Sequence, residues 1–124
     1  MCTVMLAIKP EYAQKIFNGD KQFEFRRRVG QKVPTKIIIY VTSPYSCVMG
    51  EARVKKIIVD QPEKLWQRTK QFAGIEYRKF IEYFSGTMMA YAYSIEGVKK
   101  YRKKKSLSDY GLQIAPQSFV YLKD

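Results

Sequence analysis

Hydrophobic and polar positions along this chain fall into strand-like and helix-like stretches separated by clear stops. Residues Thr3 to Ile8 alternate as a first strand. Pro10 suits the first turn of a following helix, and Glu11 suits its positive end. That helix carries an apolar stripe of Tyr12 or Ala13, then Ile16 and Phe17, and Asn18-Gly19 supplies the left-handed stop expected at a carboxyl end. Lys21 to Arg28 alternates with Phe23 and Phe25 on one face and Glu24, Arg26 and Arg28 on the other, the pattern of a half-buried strand. Ile37 to Val41 is a continuous, largely β-branched run, which suits a strand covered on both faces, and Thr42-Ser43-Pro44 ends it.

Cys47 to Val59 reads as another strand, with Gly50 marking a bulge or bend. Asp60 with Glu63 resembles a capping box, and Leu65, Trp66, Thr69 and Phe72 form one helical stripe, with Trp66 placed in the core. Gly74 separates this helix from a third, lined by Tyr77, Phe80 or Ile81, and Phe84, with Gly86 after its end. Met88 to Ile95 returns to period two: Met89, Tyr91, Tyr93 and Ile95 share one face, and the small-residue face of Met88, Ala90, Ala92 and Ser94 is suited to lie against a helix. A basic segment follows Gly97, then a turn-rich stretch from Ser106 to Gly111 and a closing strand from Ser118 to Leu122. The order predicts an α+β arrangement of short strands that can curl into a small barrel flanked by helices. Pattern alone does not fix strand order.

At 124 residues, with no internal repeat and no linker, the expectation is one domain spanning residues 1–124. Hydrophobic residues make up 46% and charged residues 27%, the balance of a globular chain. No apolar run approaches the roughly 20 residues of a membrane-spanning helix, and the first ten residues lack a signal-peptide layout, so the expected location is the cytoplasm. Two cysteines, Cys2 and Cys47, make neither a disulfide framework nor a thiolate metal site. The complete lack of histidine removes the commonest metal ligand and the usual acid–base group near neutral pH. Ser-His-Asp, Cys-His and zinc-hydrolase schemes are thereby excluded, no cofactor or metal is expected, and any catalysis must run on Lys, Glu, Asp, Tyr or Cys. Against 23 Lys plus Arg stand 11 Asp plus Glu, a formal charge of +12 that favours a polyanionic partner, nucleic acid before a membrane surface.

The segment Gly19-Asp20-Lys21-Gln22-Phe23-Glu24-Phe25-Arg26 delivers a lysine from a glycine turn to the mouth of a strand whose exposed face carries a carboxylate and a guanidinium. On a strand, Glu24 and Arg26 lie on one face about 7 Å apart, so both can meet one ligand. An arginine fork suits phosphate or a base edge, lysine gives a compact charge, and glutamate accepts from an amino group or orients its basic neighbours. An ordinary surface strand with weak cross-strand ion pairs uses the same residues at the same spacing.

This segment resembles, at every fixed position, the Gly-x-Lys-x-x-Glu-x-Arg signature of the ASCH domain family. The Lys9-Pro10 helix start, the strand and loop from Ile37 to Pro44, the Trp66 helix, the stretch from Gly86 to Ile95 and the ending Pro116-Gln117-Ser118-Phe119 are also similar to small ASCH proteins, so the resemblance spans nearly the whole chain. It implies an α+β, PUA-like small mixed β-barrel flanked by about three helices, with Lys21, Glu24 and Arg26 lining a cleft that receives RNA or a nucleotide. Activities in the family differ: amidohydrolases of N4-acetylcytidine nucleosides, a ribonuclease, and RNA-binding regulators. The chain departs from the amidohydrolase branch, which has Thr where Glu24 stands and a Glu before the third helix, where Ala73-Gly74 stands here.

A second candidate surface is Lys99-Lys100-Tyr101-Arg102-Lys103-Lys104-Lys105, six cations around one ring, fit for tracking phosphates or else a solvated charged turn. Tyr40, Tyr45, Tyr91 and Tyr93 are candidate stacking rings, or core residues at strand spacing. The leading expectation is an RNA-binding module with a basic cleft. The alternative is a small Lys/Glu-dependent, metal-independent hydrolase, an amidohydrolase or a ribonuclease, with Lys21 and Glu24 as the catalytic pair. A regulatory module meeting an acidic protein is a third.

Overall fold

The computed structural model describes residues 2–123. Among the described residues there are six strands and three α-helices: β1 (Thr3–Ile8), α1 (Pro10–Phe17), β2 (Phe23–Arg26), β3 (Lys36–Val41), β4 (Cys47–Asp60), α2 (Pro62–Thr69), α3 (Tyr77–Tyr83), β5 (Ala90–Lys105) and β6 (Phe119–Leu122). All strands belong to one mixed sheet of order β2-β5-β4-β3-β1-β6, in which β1 and β3 run parallel and the other neighbours antiparallel. The sheet curls into a half-barrel. β2 and β6 are its two ends, yet Arg26 at the end of β2 bonds Ala7 of β1 and Ser118 just before β6.

Burial explains the run from Ile37 to Val41. Ile37, Ile39 and Val41 face the inner cluster with Val4, Leu6 and Ile8, capped by Ala13 and Ile16 of α1. Ile38 and Tyr40 face a second cluster on the opposite side with Met5 and Val48, so a strand buried on both faces has no polar position to spare. A third cluster sits under α2 and α3, where Ala90 and Ala92 lie against Leu65, Phe80 and Phe84. The small residues of β5 thus face helices, as the pattern predicts. Gly50 falls at a register shift in both of the ladders that β4 makes. A methyl group on it would come within 2.5 Å of the Lys99 carbonyl and the Phe17 ring.

Some local expectations change. The capping box at Asp60 and Glu63 does not form: β4 runs through Asp60, paired with Ala90, and α2 begins at Pro62, whose fixed φ sets the start. The Asp60 carboxylate instead accepts from the Gln61 amide at 2.8 Å and pairs with Arg68 at 3.5 Å. α2 ends at Thr69 and tightens into one 3-10 turn, Lys70–Phe72, which rotates Phe72 outward from its predicted stripe. Trp66 is half-buried, packed on Phe80 and on Tyr77, whose hydroxyl donates to Glu63. Met88 and Met89 precede β5 and are exposed. β2 stops at Arg26, leaving Arg28 outside the strand and exposed. A capping box does form further on, between Ser106 and Asp109 around a 3-10 turn.

Candidate functional site

Three chain breaks place Lys21. α1 ends at Asn18, Gly19 turns the backbone at φ +90, and the Lys21 amide donates back to the Lys15 carbonyl at 3.1 Å. Gln22 then docks on both sides, its amide donating to Phe72 and its carbonyl accepting from Ile95. The Lys21 side chain therefore runs inward, and only 2% of the residue is exposed. Its ammonium donates to the Ala73 carbonyl at 2.7 Å and lies 4.7 Å from the Phe25 ring centre and 5.2 Å from that of Tyr12. Gly74, at φ +65, packs on the lysine stem, where a methyl group would overlap Lys21 Cβ and Cγ.

Burial lowers the Lys21 pKa from 10.5 to about 8; Glu24 opposes the shift, while Lys15 and Arg26 add to it. The third helix begins at Tyr77 with Glu76 directly before it, so a glutamate does precede that helix where sequence reasoning places only Ala73-Gly74.

Glu24 and Arg26 differ from expectation in one respect: the face that carries them is not exposed. Glu24 is 7% and Arg26 8% accessible. The reason is the curl of the sheet, which brings β1 and the approach to β6 over that face while Phe25 on the other face packs on Phe80 and Phe84. The Arg26 guanidinium donates through Nη2 to Glu24 Oε2 and to the Ala7 carbonyl, both at 2.8 Å, and through Nη1 to the Ser118 carbonyl at 3.1 Å and Oγ at 3.2 Å. Its Nε–H finds no acceptor among the described residues. Breaking a buried pair of this kind costs about 3–5 kcal/mol. Ser118 itself is exposed.

Lys21, Glu24 and Arg26 do converge electrostatically, although among the described residues no bond joins Lys21 to either of the others. They do not share one rim. Lys21 lines a recess of about 380 Å³ with Phe17, Gly19, Gln22, Glu96 and Gly97, whereas Glu24 and Arg26 stand outside its wall. No group of His, Cys, Asp and Glu among the described residues could hold a metal ion, and no helix is long and apolar enough to cross a membrane.

The basic run is not a turn. Lys99 to Lys105 continue β5, laddered with β4 through Lys99, Lys100 and Lys105. Its cations are exposed, while Tyr101 is half-buried with its hydroxyl donating to Glu51 at 2.7 Å. Of the other candidate rings, Tyr40 and Tyr93 belong to the core, Tyr91 is half-buried and Tyr45 is exposed. Burial raises the Tyr93 pKa to about 12. Sequence reasoning missed two of the groups that hold the site. The Ala73 carbonyl is a backbone atom and leaves no side-chain signal, and Ser118 was legible only as the start of a strand.

The sequence profile of the ASCH domain matches residues 6–109. Over 122 residues the chain is 33% identical to a segment of an ATP synthase subunit alpha and 28% identical to a segment of a large ribosomal subunit protein uL22, both from Ureaplasma parvum. It covers 98% of itself in these matches but only 15% and 39% of those proteins. It is 33% identical over 90 residues, 72% of its length and 61% of the relative's, to an ASCH domain-containing ribonuclease from Zymomonas mobilis. A crystal structure of ASCH from Zymomonas mobilis superposes with a TM-score of 0.87 at 29% identity, covering 98% of this chain and 87% of that one. Tyrosine-to-phenylalanine and serine-to-alanine variants of that protein superpose with TM-scores of 0.87 and 0.89.

Proposed function

We propose that this chain, which belongs to the ASCH domain family, cleaves single-stranded RNA with Lys21 as its proton-transfer group, the buried pair of Glu24 and Arg26 acting on it only through their charges. The carrying observation is the buried ammonium of Lys21, whose pKa falls to about 8, close enough to neutrality for the group to gain and lose a proton. The name of the Zymomonas mobilis relative supports RNA as the substrate class, and the charge of +12 supports a polyanion.

The chemistry these groups can perform is transesterification. Neutral Lys21 takes the proton of a ribose 2′-hydroxyl, the 2′-oxygen bonds to the adjacent phosphorus, and the bond from phosphorus to the 5′-oxygen breaks. The proton then passes from Lys21 to the leaving 5′-oxygen, giving a 2′,3′-cyclic phosphate and a free 5′-hydroxyl. An amidohydrolase is less well supported, because Glu24 stands where that branch carries threonine.

A second reading, binding of RNA without turnover, is favoured by one observation: every charged group of the motif is already engaged inside the protein. End-labelled single-stranded RNA incubated with the protein and with Lys21→Met separates the two. The ribonuclease reading expects cyclic-phosphate fragments from the first and none from the second. Equal cutting by both refutes the role of Lys21. Salt-sensitive binding without cutting by either leaves the binding module.

A further inference from the structure

The distal half of β5 carries charge that the site around Lys21 does not use. β2 pairs with β5 only as far as Ser94, so beyond Ile95 the strand is laddered to β4 on one side alone. Lys99, Lys100, Arg102, Lys103, Lys104 and Lys105 are exposed there, and none is in an ion pair among the described residues. The acid opposite Lys99 in the ladder, Glu51, is taken by the Tyr101 hydroxyl and by Lys36 at 3.3 Å. Six uncompensated cations on one strand repel one another, an arrangement that an ordinary solvated surface avoids by interspersing signs.

The second observation is aromatic. Lys100 lies 5.8 Å from the Phe17 ring centre, Lys104 5.7 Å from that of Tyr45, and Lys105 4.6 Å from that of Tyr101. Cations and ring faces thus recur together along the strand, as a surface needs in order to hold phosphates while bases stack. The third is continuity: Phe17, under Lys100, is also a wall of the recess that Lys21 lines.

We propose that the distal half of β5 is a track for single-stranded RNA, phosphates on Lys99 to Lys105 and bases against Tyr45 and Phe17, leading into the recess at Lys21. The destination of the track rests on the ribonuclease reading; the binding does not. Double-stranded RNA fits this surface poorly, since paired bases cannot turn their faces to the rings.

The test is fluorescence anisotropy with a labelled single-stranded uridine 20-mer, a duplex RNA of equal length and a polyglutamate competitor. The protein is compared with Lys103→Gln/Lys104→Gln/Lys105→Gln and with Tyr45→Ala. Removing three cations is expected to weaken single-strand binding and to flatten the salt slope by about 2. Tyr45→Ala is expected to cost about tenfold in affinity at constant slope. An unchanged slope in the triple variant, equal affinity for the duplex, or displacement by polyglutamate as readily as by unlabelled RNA overturns the track. Turnover distinguishes the two proposals. Binding along the strand with no product refutes the ribonuclease and leaves the track, whereas cleavage of dinucleotide and 20-mer alike, each indifferent to the triple substitution, refutes the track and leaves the ribonuclease.

Discussion

Replacing Lys21 by Met should make the protein more stable at pH 7 and less stable at pH 10. The fall in pKa from 10.5 to about 8 corresponds to about 3 kcal/mol of destabilisation of the ammonium in the fold, at about 1.4 kcal/mol per pH unit. The folded-state pKa lies below the unfolded one, so this penalty is fully present below about pH 8. It is lifted as pH rises from about 8 to 10.5, where the unfolded chain holds the proton and the fold does not. Methionine fills a similar volume with no charge and removes the penalty at every pH, but it leaves the Ala73 carbonyl without its donor, a loss of about 1–3 kcal/mol. The net expectation is a gain of about 1 kcal/mol at pH 7 and a reversal by pH 10, because the wild-type protein recovers about 2–3 kcal/mol over that interval. Urea unfolding of both proteins at the two pH values measures it, and taking the difference cancels the titration of the tyrosines they share. A difference that stays constant from pH 7 to pH 10 would refute the desolvated ammonium, and with it the reason for giving Lys21 a chemical role.

The same group sets the pH profile of cleavage: log kcat/KM should rise with pH and level off near pH 8, and a flat profile from pH 6 to 8.5 would exclude neutral Lys21 as the base. Glu24→Ala should destabilise by about 3–5 kcal/mol in chemical denaturation, because it strands the Arg26 guanidinium in the interior. Gly74→Ala should cost about 1–3 kcal/mol, from the positive φ and the overlap with the Lys21 stem, and should lower cleavage more than RNA binding. Unchanged stability in either variant counts against the packing described.

Most strands were legible from their apolar pattern, alternating in some and continuous in others. The alanine face of β5 read correctly because its burial repeats every second residue, and Ile37 to Val41 because a continuous apolar run marks a strand covered on both faces; Thr3 to Ile8 was legible as a strand, but Val4, Met5 and Leu6 are all buried, so its burial does not alternate. Helix boundaries were less legible where a proline or a tightened turn overrode the cap pattern, as at Pro62 and Phe72. The motif residues were visible but their exposure was not. Alternation assigns Glu24 and Arg26 to the face opposite Phe25; it cannot say that the half-barrel curls over that face, because the cover comes from Ala7 and Ser118, far away in sequence. The basic run showed charge without shape, since lysine propensity does not announce a strand and only the ladder with β4 does.

The clasp between Arg26 and Ser118 carries a practical warning. The stretch matched by the family profile ends at residue 109, yet the carbonyl and hydroxyl that seat the signature arginine come from position 118. A recombinant fragment trimmed to the matched stretch would keep every letter of the signature and lose both β6 and the far jaw of the clasp, so an inert fragment would say nothing about the intact chain.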